Sequence, residues 1–261
     1  MTFAFVGYFL LVMAIGVTAW LRTRNLSDYI LGGRSLGPGA AALSAGASDM
    51  SGWLLLGLPG YAYVAGLEVL WLAAALLLGS YFNWLLVAPR LRRASADHGD
   101  ALTIPEYFYR RVEDYRQSLR WCCVLMDTAS TEIYTASGFV AGAKLFETVY
   151  GFDYHWALLI GGFAIVGYTF FGGFLAVVWT DVVQGLLMLA ALLCVPLMIF
   201  GGFCAAEPGP VAGLETLLPA AAGGGVDLLA LVSSLAWGLG YFGQPHILAR
   251  FMAVRDVSAI P

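Results

Sequence analysis

Apolar residues run through this chain in blocks of about 20, the length a helix needs to cross the hydrocarbon core of a bilayer. Seven such blocks lie near 2–21, 36–63, 67–88, 121–146, 155–172, 180–203 and 227–248. Polar and charged positions gather between them, above all in 89–120. The pattern predicts an all-α, polytopic membrane protein with seven transmembrane helices. The first block has no basic leader and no small-residue cleavage site after it, so it reads as a retained helix and not as a signal peptide.

Two blocks are interrupted. The second contains ASDMSGWLLLGLPG (47–60), where Asp49 stands among Gly46, Gly52, Gly57, Pro59 and Gly60. The seventh reads LVSSLAWGLGYFGQPHIL, with Gly238, Gly240, Gly243 and Pro245 interleaved with Trp237, Tyr241 and Gln244. A carboxylate at the centre of a spanning helix costs about 2.5–3.5 kcal/mol on insertion scales and normally faces a bundle interior or a wet cavity. Helix opened at that depth must be buried or line a cavity. Its free carbonyls suit a cation and the N–H groups of the next half-helix suit an anion. The plainer readings are a carboxylate satisfied by Ser48 or Ser51, and glycines that let helices pack closely. The two interrupted blocks lie five spans apart, and each has a tryptophan beside a glycine, Gly52-Trp53 and Trp237-Gly238. An odd step reverses direction through the membrane, as an inverted-repeat transporter requires.

Composition narrows the class. With 60% hydrophobic and 11% charged residues the chain cannot solvate a globular surface. Of 13 Lys and Arg, Arg22, Arg24 and Arg34 follow the first block. Arg90, Arg92, Arg93, Arg110, Arg111, Arg116 and Arg120 lie in 89–120, and Arg250 and Arg255 follow the seventh block. Only Lys144 departs from this alternation. The bias predicts an outside N-terminus and a cytoplasmic C-terminus, with the arginines as topology markers near lipid headgroups. Within 89–120, Thr103 caps a predicted short helix from about Pro105, with Glu106 in its first turn, lying on the inner membrane surface. The stretch 204–226 reads as an irregular outer connection. Cys122, Cys123, Cys194 and Cys204 show no CxxC spacing and read as free thiols. His98, His155 and His246 are scattered, which predicts no transition-metal site, and nothing points to nucleic acid or a cofactor.

The stretches LGGRSLG (31–37), SAGASDMSGWLLLGLPG (44–60), NWLLVAPRLR (83–92), YTASGFVAGAKLFE (134–147), FGGFLAVVWTDVVQGLLM (171–188) and WGLGYFGQPHILARFMA (237–253) resemble the sodium/solute symporter family, most closely its sodium/proline members. The resemblance implies a LeuT-like core of two inverted five-helix repeats behind one extra helix. The chain then divides into an extra helix and loop (1–34), a first repeat (35–203), an outer loop (204–226) and the first helix of an incomplete second repeat (227–261). It implies sodium-coupled import of a small amino acid, with L-proline leading, by alternating access in the bacterial cytoplasmic membrane.

Residue by residue, the resemblance assigns Asp49, with the Ala47 and Met50 carbonyls, to sodium. Ser51, Trp53, Gly57, Tyr134, Trp237, Tyr241 and Pro245 fall to the solute, and Arg34 and Asp181 to coupling or gating. Sodium is the coupling ion and the sole metal implied. The family's sodium site also draws on a later helix, so the chain is expected to be truncated, inactive alone, or joined by a partner carrying the missing helices. Asp127 and Glu132 depart from the family pattern; five positions apart, they sit about 140° from each other around a helix. They are left either to Thr128 and Thr131 or to the edge of the pocket near Tyr134. Two alternatives remain open. One is a non-transporting scaffold. The other is an intramembrane aspartyl hydrolase using two of Asp49, Asp127 and Asp181, although GLGY (238–241) carries tyrosine where such an enzyme needs an acid.

Overall fold

The structure, a computed structural model, describes residues 2–53, 57–66, 69–201 and 228–259. Among these the chain is almost wholly helical, and the β contact is a single parallel bridge between Leu36 and Val254. The first block forms α1 (Thr2–Arg22), followed by the short α2 (Leu26–Leu31). The Asn25 side chain caps α2 by accepting from the Asp28 N–H at 2.8 Å, and Gly32 closes it at φ 59°. The second block is two helices, α3 (Pro38–Asp49) and α4 (Leu58–Ala65), each with proline in its first turn, where no N–H is needed.

The third block continues well beyond its predicted end. A single helical run covers α5 (Val69–Phe82), a π-helical turn at Asn83–Val87 and α6 (Ala88–Asp97). Next comes α7 (Ile104–Val112), whose Thr103 Oγ1 accepts from the Glu106 N–H at 3.3 Å, the cap expected from the sequence. α8 (Ser118–Tyr150) overruns its block by a turn before Gly151 stops it at φ 68°. Blocks five and six form one 47-residue run, α9 (Tyr154–Phe200), continuous across the gap between them. Its interruption is one residue, Gly173, at φ 58° and ψ −153°. A Cβ there would lie 2.8 Å from the Tyr29 carbonyl, so conformation and space both demand glycine. The seventh block opens as α10 (Leu228–Trp237), tightens into a 3₁₀ stretch at Gly238–Gly243, and resumes as α11 (Pro245–Ala253). Cys122, Cys123 and Cys194 are unpaired; Cys204 and the stretch 204–226 lie outside the described residues.

Two of the described helices are long and apolar enough to cross a membrane, Val69–Asp97 and Tyr154–Met198, and Val6–Arg22 is a shorter apolar helix. Breaks shorten the helices of blocks two and seven, and Asp127 and Glu132 interrupt the apolar surface of α8. Only 11% of the most apolar window of Tyr154–Met198 is buried, the reverse of a soluble core helix and the expectation for one clothed by lipid.

The buried core collects at the arginine-rich end. Ile247, Phe251 and Met252 of α11 pack against Leu31, Leu36, Ala41, Ala45, Ala88 and Val178. Trp84 meets Phe251 edge-on at 4.6 Å. The Leu36 N–H donates to Ala253 O at 3.2 Å and the Arg255 N–H to Leu36 O at 2.9 Å, pinning the end of block seven to the turn before α3.

Candidate functional site

The site starts where α3 stops. The Met50 N–H still reaches Gly46 O at 3.2 Å, but the Ser51 N–H turns to Asp49 O at 2.9 Å and leaves Ala47 O without its donor four residues on. An uncompensated carbonyl at the negative end of a helix dipole is a cation ligand in waiting. Asp49 adds a carboxylate at the same terminus. The Tyr241 hydroxyl donates to it from the 3₁₀ stretch of block seven, and Gln244 adjoins it. That stretch is fixed from behind by Asn83, buried in the π turn, whose Nδ2 donates to Tyr241 O at 2.8 Å.

The two interruptions also touch through their tryptophans. Trp53 and Trp237 stack with centroids 5.3 Å apart and planes 24° from parallel. Gly57 makes room for this, since a Cβ there would come within 2.2 Å of the Trp53 ring. On the other flank, the Tyr134 hydroxyl of α8 donates to Ser48 O at 2.6 Å, and its ring stacks on His246 at 5.1 Å.

A cavity of about 560 Å³ opens between the end of α3, α8 and α9. Ala47, Met50, Ser51, Tyr134 and Asp181 line it, as do Gly138 and Gln184. The volume suits a small organic molecule. The site residues named from the sequence thus divide. Ala47, Met50, Ser51 and Tyr134 face the cavity, whereas Asp49, Trp53, Gly57, Trp237 and Tyr241 do not line it and meet one another at the contact between the two broken spans. Pro245 opens α11 beside Gln244 and lines no described cavity. Asp127 is half-buried and Glu132 exposed, and neither lines the cavity.

Asp181 sits in a buried ionic cluster that the sequence did not disclose. Its Oδ2 accepts from Arg250 at 2.7 Å, from Ser44 Oγ at 2.6 Å and from Ser48 Oγ at 3.0 Å. Arg250 also donates to Ser44 Oγ at 2.7 Å, to Ser48 Oγ and to His246 O. Side-chain exposures of 5% for Arg250 and 10% for Asp181 make this an interior pair. Arg250 is therefore no topology marker in a loop, because α11 carries it inside. Arg92 is likewise engaged, donating through Nε to Val254 O at 2.6 Å.

Arg34 belongs to a different cluster. It is buried, donates to Ala101 O at 2.8 Å and lies 3.1 Å from Asp100. Burial pushes its guanidinium pKa down, and Asp100 opposes the shift. No dyad of Asp49 with Asp181 is formed: one carboxylate is taken by Tyr241 and the other by Arg250.

A model of the sodium:solute symporter family matches residues 29–261. A sodium/proline symporter of Salmonella typhimurium is 50% identical over 263 residues, covering 100% of this chain and 52% of its own length. That of Escherichia coli (strain K12) is 49% identical with the same coverage, and one from Staphylococcus aureus is 44% identical over 97% of this chain and 50% of its own. The chain thus spans about half the length of the curated relatives it matches. No solved structure matches it.

Proposed function

The chain belongs to the sodium:solute symporter family, and on that premise we propose that it serves sodium-coupled import of a small amino acid, proline first among them. The observation that carries the reading is the end of α3. There a carboxylate, a carbonyl released from its helix and the hydroxyl of Ser51 meet beside a cavity of amino-acid scale. Sodium is a hard cation that takes oxygen ligands. Asp49, with the carbonyls of Ala47 and Met50, supplies them in this proposal. A bound cation would compete with Tyr241 for Asp49, so filling the ion site would loosen the tie between the two broken spans.

Ser51, Gly57, Trp53, Tyr134, Trp237, Tyr241 and Pro245 form the solute side. Aromatic faces suit the apolar ring of proline and attract its ammonium. Arg34 and Asp181 act in coupling, Asp181 through Arg250 and the serines of α3. The architecture that accompanies this is a seven-span chain with its N-terminus outside. It has an extra helix (1–34), a LeuT-like first repeat (35–203), an outer loop (204–226) and the opening helix of a second, inverted repeat (227–261), working by alternating access. The names of these three relatives, sodium/proline symporter in each case, support ion and solute alike.

The test is proline uptake into proteoliposomes with an inward sodium gradient, for the protein and for Asp49→Asn. Uptake should rise steeply with sodium, and the variant should lose on the order of 100-fold, as befits removal of a charged ligand from a buried site. Uptake indifferent to sodium would overturn the coupling, and uptake of a different solute only would overturn the choice of proline.

A further inference from the structure

A second cavity, about 420 Å³, lies at the arginine-rich end, away from the cavity beside Asp49. It is walled by the end of α1, α2, the turn into α3 with the first turn of α3, the middle of α9 and the residues after α11. Two cations face it. Arg22 lies over the Trp179 ring at 5.1 Å, and Arg255 reaches Ser35 O with one guanidinium nitrogen at 3.4 Å. Both are exposed, and among the described residues neither forms an ion pair with an acid. One acid, Asp28, also lines the cavity, its Oδ2 accepting from the Arg24 N–H at 3.1 Å. Two cations and one carboxylate leave the cavity with one net positive charge, and it takes no part in the transport reading.

We propose that this cavity binds the phosphodiester headgroup of an anionic membrane lipid. A phosphodiester carries one negative charge and offers oxygens to both guanidinium groups. Hydroxyl or amino groups on the headgroup would donate to the remaining capacity of Asp28. Position favours a lipid over a soluble phosphate compound. Arg22 is the last residue of an apolar helix, and Trp179 is an aromatic of the type that sits at headgroup level. Basic pockets between spanning helices on the cytoplasmic side recognise anionic headgroups in this way. The stacking of Arg22 on Trp179 holds one cation in place, and the backbone pairing of Arg255 with Leu36 places the other.

The experiment is native mass spectrometry of the full chain, purified in detergent and supplied in turn with phosphatidylglycerol, phosphatidylcholine and inorganic phosphate. One phosphatidylglycerol should be retained per chain in preference to phosphatidylcholine. Arg22→Gln or Arg255→Gln should weaken retention about fivefold each, and the pair about 25-fold. Arg24→Gln, which removes an equal charge outside the cavity, should leave retention unchanged, and Arg255→Lys should preserve most of it. Should the double variant fail to fold, the single Arg22→Gln substitution, at an exposed helix end, carries the test. Equal loss in Arg24→Gln, or equal retention of both lipids, would overturn the site. Displacement of the lipid by millimolar inorganic phosphate would overturn the lipid assignment in favour of a soluble phosphate.

Discussion

The second and seventh blocks are both broken helices, yet they break differently. Between α3 and α4 the helix ends outright, a carbonyl loses its donor and an acid stands at the terminus. In the seventh block the chain first tightens into a 3₁₀ stretch and breaks only at Gln244, whose backbone is extended before Pro245 starts α11, and Gly238 serves contact. A Cβ on Gly79 of α5 would fall 2.2 Å from Gly238 O, and one on Gly238 would fall 2.3 Å from Ala75 O. Here two backbones touch with no side chain between them. Glycine and proline therefore do separate jobs in two stretches that look alike. One break frees backbone at a helix end, and the other brings backbone onto backbone.

Three sets of substitutions probe that contrast beyond the loss of Asp49. The largest effect on stability is expected from Arg250→Gln. It strands Asp181 in the interior and cuts α11 from Ser44 and Ser48, at a cost of about 3–5 kcal/mol. Adding Asp181→Asn should recover much of that, as read by thermal unfolding in detergent. Recovery of transport would show that the pair acts as a clamp and not as a charge relay. Next, Gly79→Ala should cost about 1–3 kcal/mol through overpacking against Gly238. Apparent sodium affinity in the surviving protein should be little changed, and a large shift would merge the two kinds of break into one. Smallest, Trp53→Leu and Trp237→Leu should each remove about 0.5–1.5 kcal/mol of stacking. Because the rings stack on each other, the double variant should lose less than the sum.

Much of this could be seen in the sequence because the determinants are local. Asp49 amid glycines and a proline marked the α3 break, and Thr103 followed three residues later by Glu106 marked the cap of α7. The break at Gly173 was not read from FGGF, and only the fit against Tyr29 shows that one residue suffices. The pairing of Arg250 with Asp181 was hidden for another reason. The partners lie 69 residues apart, and each has an ordinary use alone, arginine as a flank to a span and aspartate as an interface charge. Their hydroxyl partners Ser44 and Ser48 look like small packing residues of α3 until the fold turns them toward α11. Asn83 was missed in the same way, because its role depends on a carbonyl 158 positions away.

The meeting of Gly79 and Gly238 has a consequence for how such a protein can change over generations. Where side chains fill a contact, a bulkier neighbour can be answered by a smaller one opposite, and sequences drift in compensating pairs. Where main chains fill it, no neighbour can shrink in reply. These two positions are thus closed to compensation and should tolerate a single residue type in a saturation library. The aromatic and hydroxyl positions around the 560 Å³ cavity face open space instead, so exchange there can be answered by the neighbours.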